Sequence, residues 1–113
     1  MPAYIDTDHL ERYVTGDDAL RDEILSIFHD RIEELRVQID PGMDDTGWHD
    51  IMHAMKGASR GVGAWEVGDL CETGEALTGS EKLADRHVLA TQLQDLLTAV
   101  LAEARHLRDQ AAA

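Results

Sequence analysis

The sequence predicts an all-α fold, an antiparallel four-helix bundle with a short additional helix at its N-terminus. Apolar residues recur at three- and four-residue spacing along every long segment, and no strand-like alternation competes with that period. Glycine, proline and aspartate gather at a few short breaks, so consecutive helices are joined by loops brief enough to fold the chain back on itself. Aromatic residues make up only 4% of the chain. Leucine, isoleucine and alanine must therefore fill the core, a palette that suits helix packing.

The first helix is expected from Asp6 to Thr15, with Asp6 as its N-cap and Gly16 closing it. A second runs from Asp18 to about Ile39 on the stripe Leu20, Ile24, Ile27, Phe28, Leu35 and Ile39, and Pro41-Gly42 ends it. Asp40 to Thr46 reads as a polar loop in which Asp45 or Thr46 caps the third helix, and Gly61 and Gly63 stop or kink that helix. The fourth spans about Ala64 to Leu77, with Val67, Leu70, Cys71, Gly74 and Leu77 facing inward. Gly74 on that stripe permits a close helix approach. After a turn at Gly79-Ser80, a final helix from about Glu81 to Arg108 lines up Leu89, Leu93, Leu96, Leu97, Val100, Ala104 and Leu107.

At 113 residues the chain reads as one domain, 1–113, with a single core. Its net charge of -13 repels phosphate backbones and anionic lipid, which argues against a nucleic-acid or membrane-surface role. Cys71 is the only cysteine, so no intrachain disulfide can form, and it reads as a small buried apolar side chain. The opening Met-Pro-Ala-Tyr lacks a basic region followed by an apolar one, and the apolar run from Leu96 to Ala102 is too short to span a bilayer. A cytoplasmic location is expected.

The third helix carries the most informative stretch, His53-Ala-Met-Lys56-Gly57-Ala-Ser59-Arg60-Gly61-Val-Gly63-Ala64. Each glycine weakens a helix by roughly 1 kcal/mol relative to alanine, so several of them beside one histidine ask for a reason. Advancing about 100° per residue from His53, Trp48, Ile51, Met55, Ala58 and Val62 fall roughly 140° or more away and read as core. His49, Lys56, Gly57 and Arg60 fall within about 60° of the histidine. His53 then points to solvent, with Gly57 and Gly61 clearing one flank and Lys56 and Arg60 placing positive charge on the other. Ser59 lies at the core edge, suited to helix packing or to a bond with a backbone carbonyl.

That arrangement suits phosphoryl transfer. An imidazole with an ordinary pKa of about 6.5 is a competent nucleophile near neutral pH, and in-line approach to its nitrogen needs space that a bulky residue at position 57 would fill. Lys56 would balance charge on the phosphoryl oxygens.

The run resembles the signature of histidine-containing phosphotransfer (HPt) domains of bacterial phosphorelays, with His53, Met55, Lys56, Gly57, Ser59, Gly63 and Ala64 in register. The likeness continues through Val67, Leu70, Cys71 and Glu75, and upstream through Gly16-Asp17-Asp18 and Phe28, covering most of the chain. Two positions depart from the pattern: Met55 stands where leucine is usual, and Gly74 where an apolar residue is usual. The resemblance implies a stand-alone, monomeric phosphoryl carrier without kinase activity or a cofactor of its own. His53 would be its phosphoacceptor, and Glu75 would reach from the neighbouring helix to orient the ring. Partners would be the receiver domains of a hybrid sensor kinase and a response regulator, which hold the magnesium themselves. Arg60 and Gly61 would belong to the partner-binding surface.

Two other readings exist. His49-Asp-Ile-Met-His53 places two histidines at i, i+4, like a zincin helix with Asp in place of Glu, and Glu72 or Glu75 could supply a third ligand for a zinc-dependent hydrolase. Lys56 and Arg60 would oppose a dication there, and the Lys-Gly-Ala-Ser run would go unexplained. A helical adaptor that carries no phosphate is the other, but the chain keeps the nucleophile.

Overall fold

The computed structural model describes residues 3–112, with side chains described through residue 109. Five α-helices occur in the order α1 (Thr7–Val14), α2 (Asp18–Arg36), α3 (Asp45–Gly61), α4 (Trp65–Glu75) and α5 (Leu83–Ala112), and no strand occurs among the described residues. Aspartate side chains start the first three by accepting an exposed backbone N–H. Asp6 accepts from His9 at 3.1 Å, Asp17 from Leu20 at 2.9 Å and Asp44 from Gly47 at 2.8 Å.

Asp44, rather than Asp45 or Thr46, therefore caps α3. Asp45 is occupied elsewhere: its carboxylate takes the Arg86 guanidinium and accepts from the Gly79 N–H. Helix α1 closes through Thr15 in the left-handed region (φ 45°), followed by Gly16 (φ 81°), so the reversal is shared between the two.

Helix α2 ends at Arg36, short of Ile39, because Gln38 and Ile39 make tighter three-residue turns onto Leu35 and Arg36. Its buried stripe is Leu25, Phe28, Ile32 and Leu35, which rotates Leu20 and Ile27 to the far side, where they are 37% and 63% exposed. Both were expected in the core. Helix α4 likewise stops at Glu75, and Ala76 and Leu77 turn back onto Thr73 and Gly74. It buries Val67, Gly68, Cys71 and Gly74, with Leu70 and Leu77 only partly covered. A 3-10 turn at Ser80–Lys82 precedes α5, whose inner face is Leu89, Leu93, Leu97, Val100 and Ala104, with Leu96 and Leu107 half-buried at its edge.

Helix α3 packs on α4 and α2, while α5 packs on α2 and α4, so α2 to α5 enclose one core and α1 lies against α2. Gly74 works as anticipated. A Cβ there would lie 2.7 Å from Met52 Sδ, and the bare backbone lets the buried Trp48 indole donate to the Gly74 carbonyl at 2.8 Å. The buried Arg86 guanidinium lies 5.1 Å from the centroid of the Trp48 ring and donates to the carbonyls of Leu77, Pro41 and Met43. These contacts fix the end of α4 against the first half of α3.

The turn between α3 and α4 is pinned from the N-terminal side. Asp6 donates its N–H to the Gly63 carbonyl at 2.9 Å, and its carboxylate accepts from Trp65 Nε1 at 3.0 Å. Gly63 has φ 83°, and a Cβ there would lie 2.9 Å from the Asp6 carbonyl oxygen, so both conformation and space require glycine. No helix among the described residues is long and apolar enough to cross a membrane.

Candidate functional site

Helix α3 has two faces. Trp48, Ile51, Met52, Met55 and Ser59 are buried, whereas His53 shows 67% of its side chain to solvent. Met52 was not assigned to the core in the sequence reading; it lies between the two clear faces of the wheel and is drawn inward by the space above Gly74. Ser59 is fully buried and its hydroxyl makes no hydrogen bond with the described residues, so of the two roles expected for it the packing one is filled and the bond to a backbone carbonyl is not.

Glu75 lies opposite, in the last turn of α4. Its Oε1 is 3.1 Å from His53 Nδ1, and Lys56 Nζ is 2.9 Å from the same carboxylate. The contact that the family resemblance implied across two helices is therefore made. Lys56 turns toward Glu75 and is largely covered, at 17% side-chain exposure. The Lys56 hydrogen bond, with the His53 bond behind it, outweighs desolvation and holds the Glu75 carboxyl below the usual carboxylate range. An ionised carboxylate only accepts, so Nδ1 carries the hydrogen of this bond, and in a neutral ring that tautomer leaves the lone pair on Nε2. The His49 ring stacks on that of His53, with centroids 5.9 Å apart and planes 9° from parallel.

Beyond the ring the helix surface is bare. Beyond its own stretch of helix, a Cβ at Gly57 or Gly61 would meet nothing within 4 Å, so no close packing among the described residues requires either glycine. Arg60 does not stand free on the His53 face. Its guanidinium reaches Glu72 at 3.1 Å and Asp69 at 3.5 Å on α4, and its stem crosses Gly68, where a Cβ would lie 2.7 Å from Arg60 Cγ. A largely apolar groove runs beside this surface between α2 and α3, lined by Ile24, Ile27, Phe28, Ala58, Gly61 and Val62, with Arg31 as its one charged side chain.

Cys71 lies beneath the site, fully buried, and burial pushes its thiol up to about 12, with the Glu75 charge adding to the effect. It stays protonated and unreactive at neutral pH. The zincin reading finds no support in the donor positions. Among the described residues no three His, Cys, Asp or Glu side chains converge as a metal site, because Glu72 turns to Arg60 and Glu75 to Lys56.

Arg86 is the structural residue that sequence reading missed. A lone arginine on an apolar helix carries no local signal that it will be buried against Trp48 and Asp45. No curated protein and no solved structure matches the chain significantly. The family model for the Hpt domain matches residues 19–103, from the first turn of α2 well into α5 and across the whole His53–Glu75 site, so the chain belongs to the Hpt family of histidine-phosphotransfer domains that work with receiver domains in phosphorelays.

Proposed function

We propose that His53 is the phosphoacceptor and that Nε2 takes a phosphoryl group from the aspartyl phosphate of one receiver domain and delivers it to the aspartate of another. The first receiver would belong to a hybrid sensor kinase and the second to a response regulator. The observation that carries this reading is the His53–Glu75 bond, which leaves Nε2 as the exposed lone pair on a ring held from behind. Gly57 and Gly61 supply the cleared approach, since only a partner outside the chain gives their missing side chains a purpose. Lys56 sits one turn from the ring and tempers the charge that the site develops.

The apolar groove beside Gly61, with Ile27 at its exposed edge, is the surface on which a receiver would rest. Arg60 acts in this reading as a brace between α3 and α4 as well as a rim residue. The carrier is a single-domain monomer with the antiparallel four-helix arrangement, stand-alone and cytoplasmic, and it needs no cofactor of its own because magnesium stays with the receiver. Helix contacts of α2 with α5 and of α3 with α4 support that arrangement. His53→Gln should abolish labelling by a phosphorylated receiver while leaving the circular dichroism spectrum unchanged. Undiminished labelling would refute His53 as the acceptor.

A further inference from the structure

We infer that His49 answers the charge of the phosphoryl group: when His53 is phosphorylated, the stacked His49 ring takes up a proton and becomes the cation that balances it. This deepens the phosphotransfer reading and rests on His53 being the acceptor. The two rings stand one helical turn apart on α3, with centroids 5.9 Å apart and planes 9° from parallel, and His49 leaves 48% of its side chain exposed. A half-exposed ring exchanges protons with solvent without any movement of the helix.

The fixed cations of this surface are engaged elsewhere. Lys56 Nζ lies 2.9 Å from the Glu75 carboxylate on α4, and the Arg60 guanidinium holds Glu72 at 3.1 Å and Asp69 at 3.5 Å. On the α2 flank Arg31 bonds Glu34 at 3.0 Å. Asp45, one turn before His49, is held by Arg86. Each of these cations already faces a carboxylate, on a chain whose net charge is -13. An imidazole differs from them because its charge is optional: it ordinarily titrates near pH 6.5, so a small change in proton affinity alters its charge in neutral solution. Asp50, whose carboxylate lies 3.6 Å from His49 Nδ1, favours the charged ring whether or not His53 carries phosphate. The difference between the two states then comes from the phosphoryl group.

The charge balance of the transfer gives the sign. On acceptance, the His53 Nε2 lone pair forms the N–P bond while the aspartyl O–P bond breaks and its electron pair returns to the receiver's carboxylate. The ring becomes cationic because Nδ1 keeps its hydrogen, and the dianionic phosphoryl group brings two negative charges, so the site gains one net negative charge. His49 removes it by binding one proton from solvent, in an equilibrium separate from the transfer. On donation, the N–P pair returns to Nε2 and His49 releases that proton. One net negative charge about 6 Å from a solvent-exposed ring raises its titration midpoint by about half to one pH unit. The coupling is reciprocal. Protonated His49 makes His53 easier to phosphorylate by the same factor, about three- to tenfold, and the carrier holds phosphate better on the acid side of neutrality.

The test uses the full chain. Side-chain NMR titrations before and after labelling with phosphoramidate should show the His49 midpoint rising by about half to one pH unit on phosphorylation, while that of His87, exposed on α5, stays in place. In equilibrium transfer from a phosphorylated receiver domain, the ratio of the wild-type equilibrium constant to that of His49→Gln should grow about three- to tenfold between about pH 8 and about pH 6, and taking the ratio cancels the receiver's own titration. His49→Lys, charged throughout, should hold the acid-limit value across that range. A His49 midpoint unmoved by phosphorylation, or a ratio that stays flat with pH, overturns the inference. Both results can occur with His53 labelling intact, whereas failure of the phosphotransfer reading appears as labelling that survives His53→Gln.

Discussion

Glu75 is the last residue of α4, the end of a helix where negative charge is disfavoured, and α4 has no basic residue of its own in that turn. The compensation comes from α3, where Lys56 and His53 converge on the one carboxylate. Its pKa lies below the ordinary 4.5, chiefly because Lys56 donates to the charged form. For a carboxyl depressed in the folded state, the associated stability is present above the unfolded value and disappears as pH falls through the folded one. Urea midpoints of wild type and Glu75→Gln should therefore differ near neutrality and converge as the medium is taken below the ordinary carboxylate range. Curves that stay parallel at acid pH would show that Glu75 is not held by charge. Gly57 calls for the opposite kind of test, because among the described residues a Cβ there would meet nothing within 4 Å beyond its own stretch of helix. Gly57→Leu should raise stability by roughly 0.5 to 1 kcal/mol through helix propensity while slowing transfer from a phosphorylated receiver by at least about tenfold. Thermal melts and transfer time courses read the two effects separately, and transfer at the wild-type rate would remove the cleared-approach role.

The same substitution one helix away should have the reverse sign. Gly74 lies where α4 meets α3 and α5, with Met52 Sδ at 2.7 Å and Leu89 Cδ2 at 3.3 Å from a would-be Cβ. Met52 is fully buried and Leu89 nearly so, which leaves neither much room to yield. Gly74→Leu should thus cost about 1 to 3 kcal/mol from overpacking, measured by urea denaturation. Because the Gly74 carbonyl also accepts from Trp48 and the next residue is Glu75, the change should weaken the His53–Glu75 register as well. A stability equal to wild type would mean that the α3–α4 approach is looser than these distances. Family pattern alone marked Gly74 as a departure, but helical spacing placed it on the inward stripe. The second reading is the one that packing bears out.

Across the whole molecule, period decided what sequence could show and long-range competition decided what it could not. Five helices were legible from apolar spacing, and so was the outward histidine, since both depend on neighbours within a few residues. The cap of α3 was misplaced by one or two positions, at Asp45 or Thr46 in place of Asp44, and Asp45 is claimed by Arg86, 41 residues further on, a pairing with no local trace. Glu75 was legible only as a family position; its distance from Nδ1 depends on how tightly α4 seats on α3. The stripe of α2 was right at Ile24, Phe28, Leu35 and Ile39 but wrong at Leu20 and Ile27, for a related reason. It carries apolar residues on more than one face, and spacing alone does not say which of them the neighbouring helices cover. The structure buries Leu25 and Ile32 and leaves Ile27 63% exposed at the edge of the groove beside Gly61. Ile27→Asp should then change stability by no more than about 0.5 kcal/mol, as for an exposed helix position. Transfer from a phosphorylated receiver should fall at least about fivefold through weaker binding, because a desolvated charge would face an apolar partner surface. Labelling by a small phosphodonor such as phosphoramidate needs no docking and should proceed at the wild-type rate. Equal loss with both donors would place the defect at His53 itself and remove the groove from the docking surface.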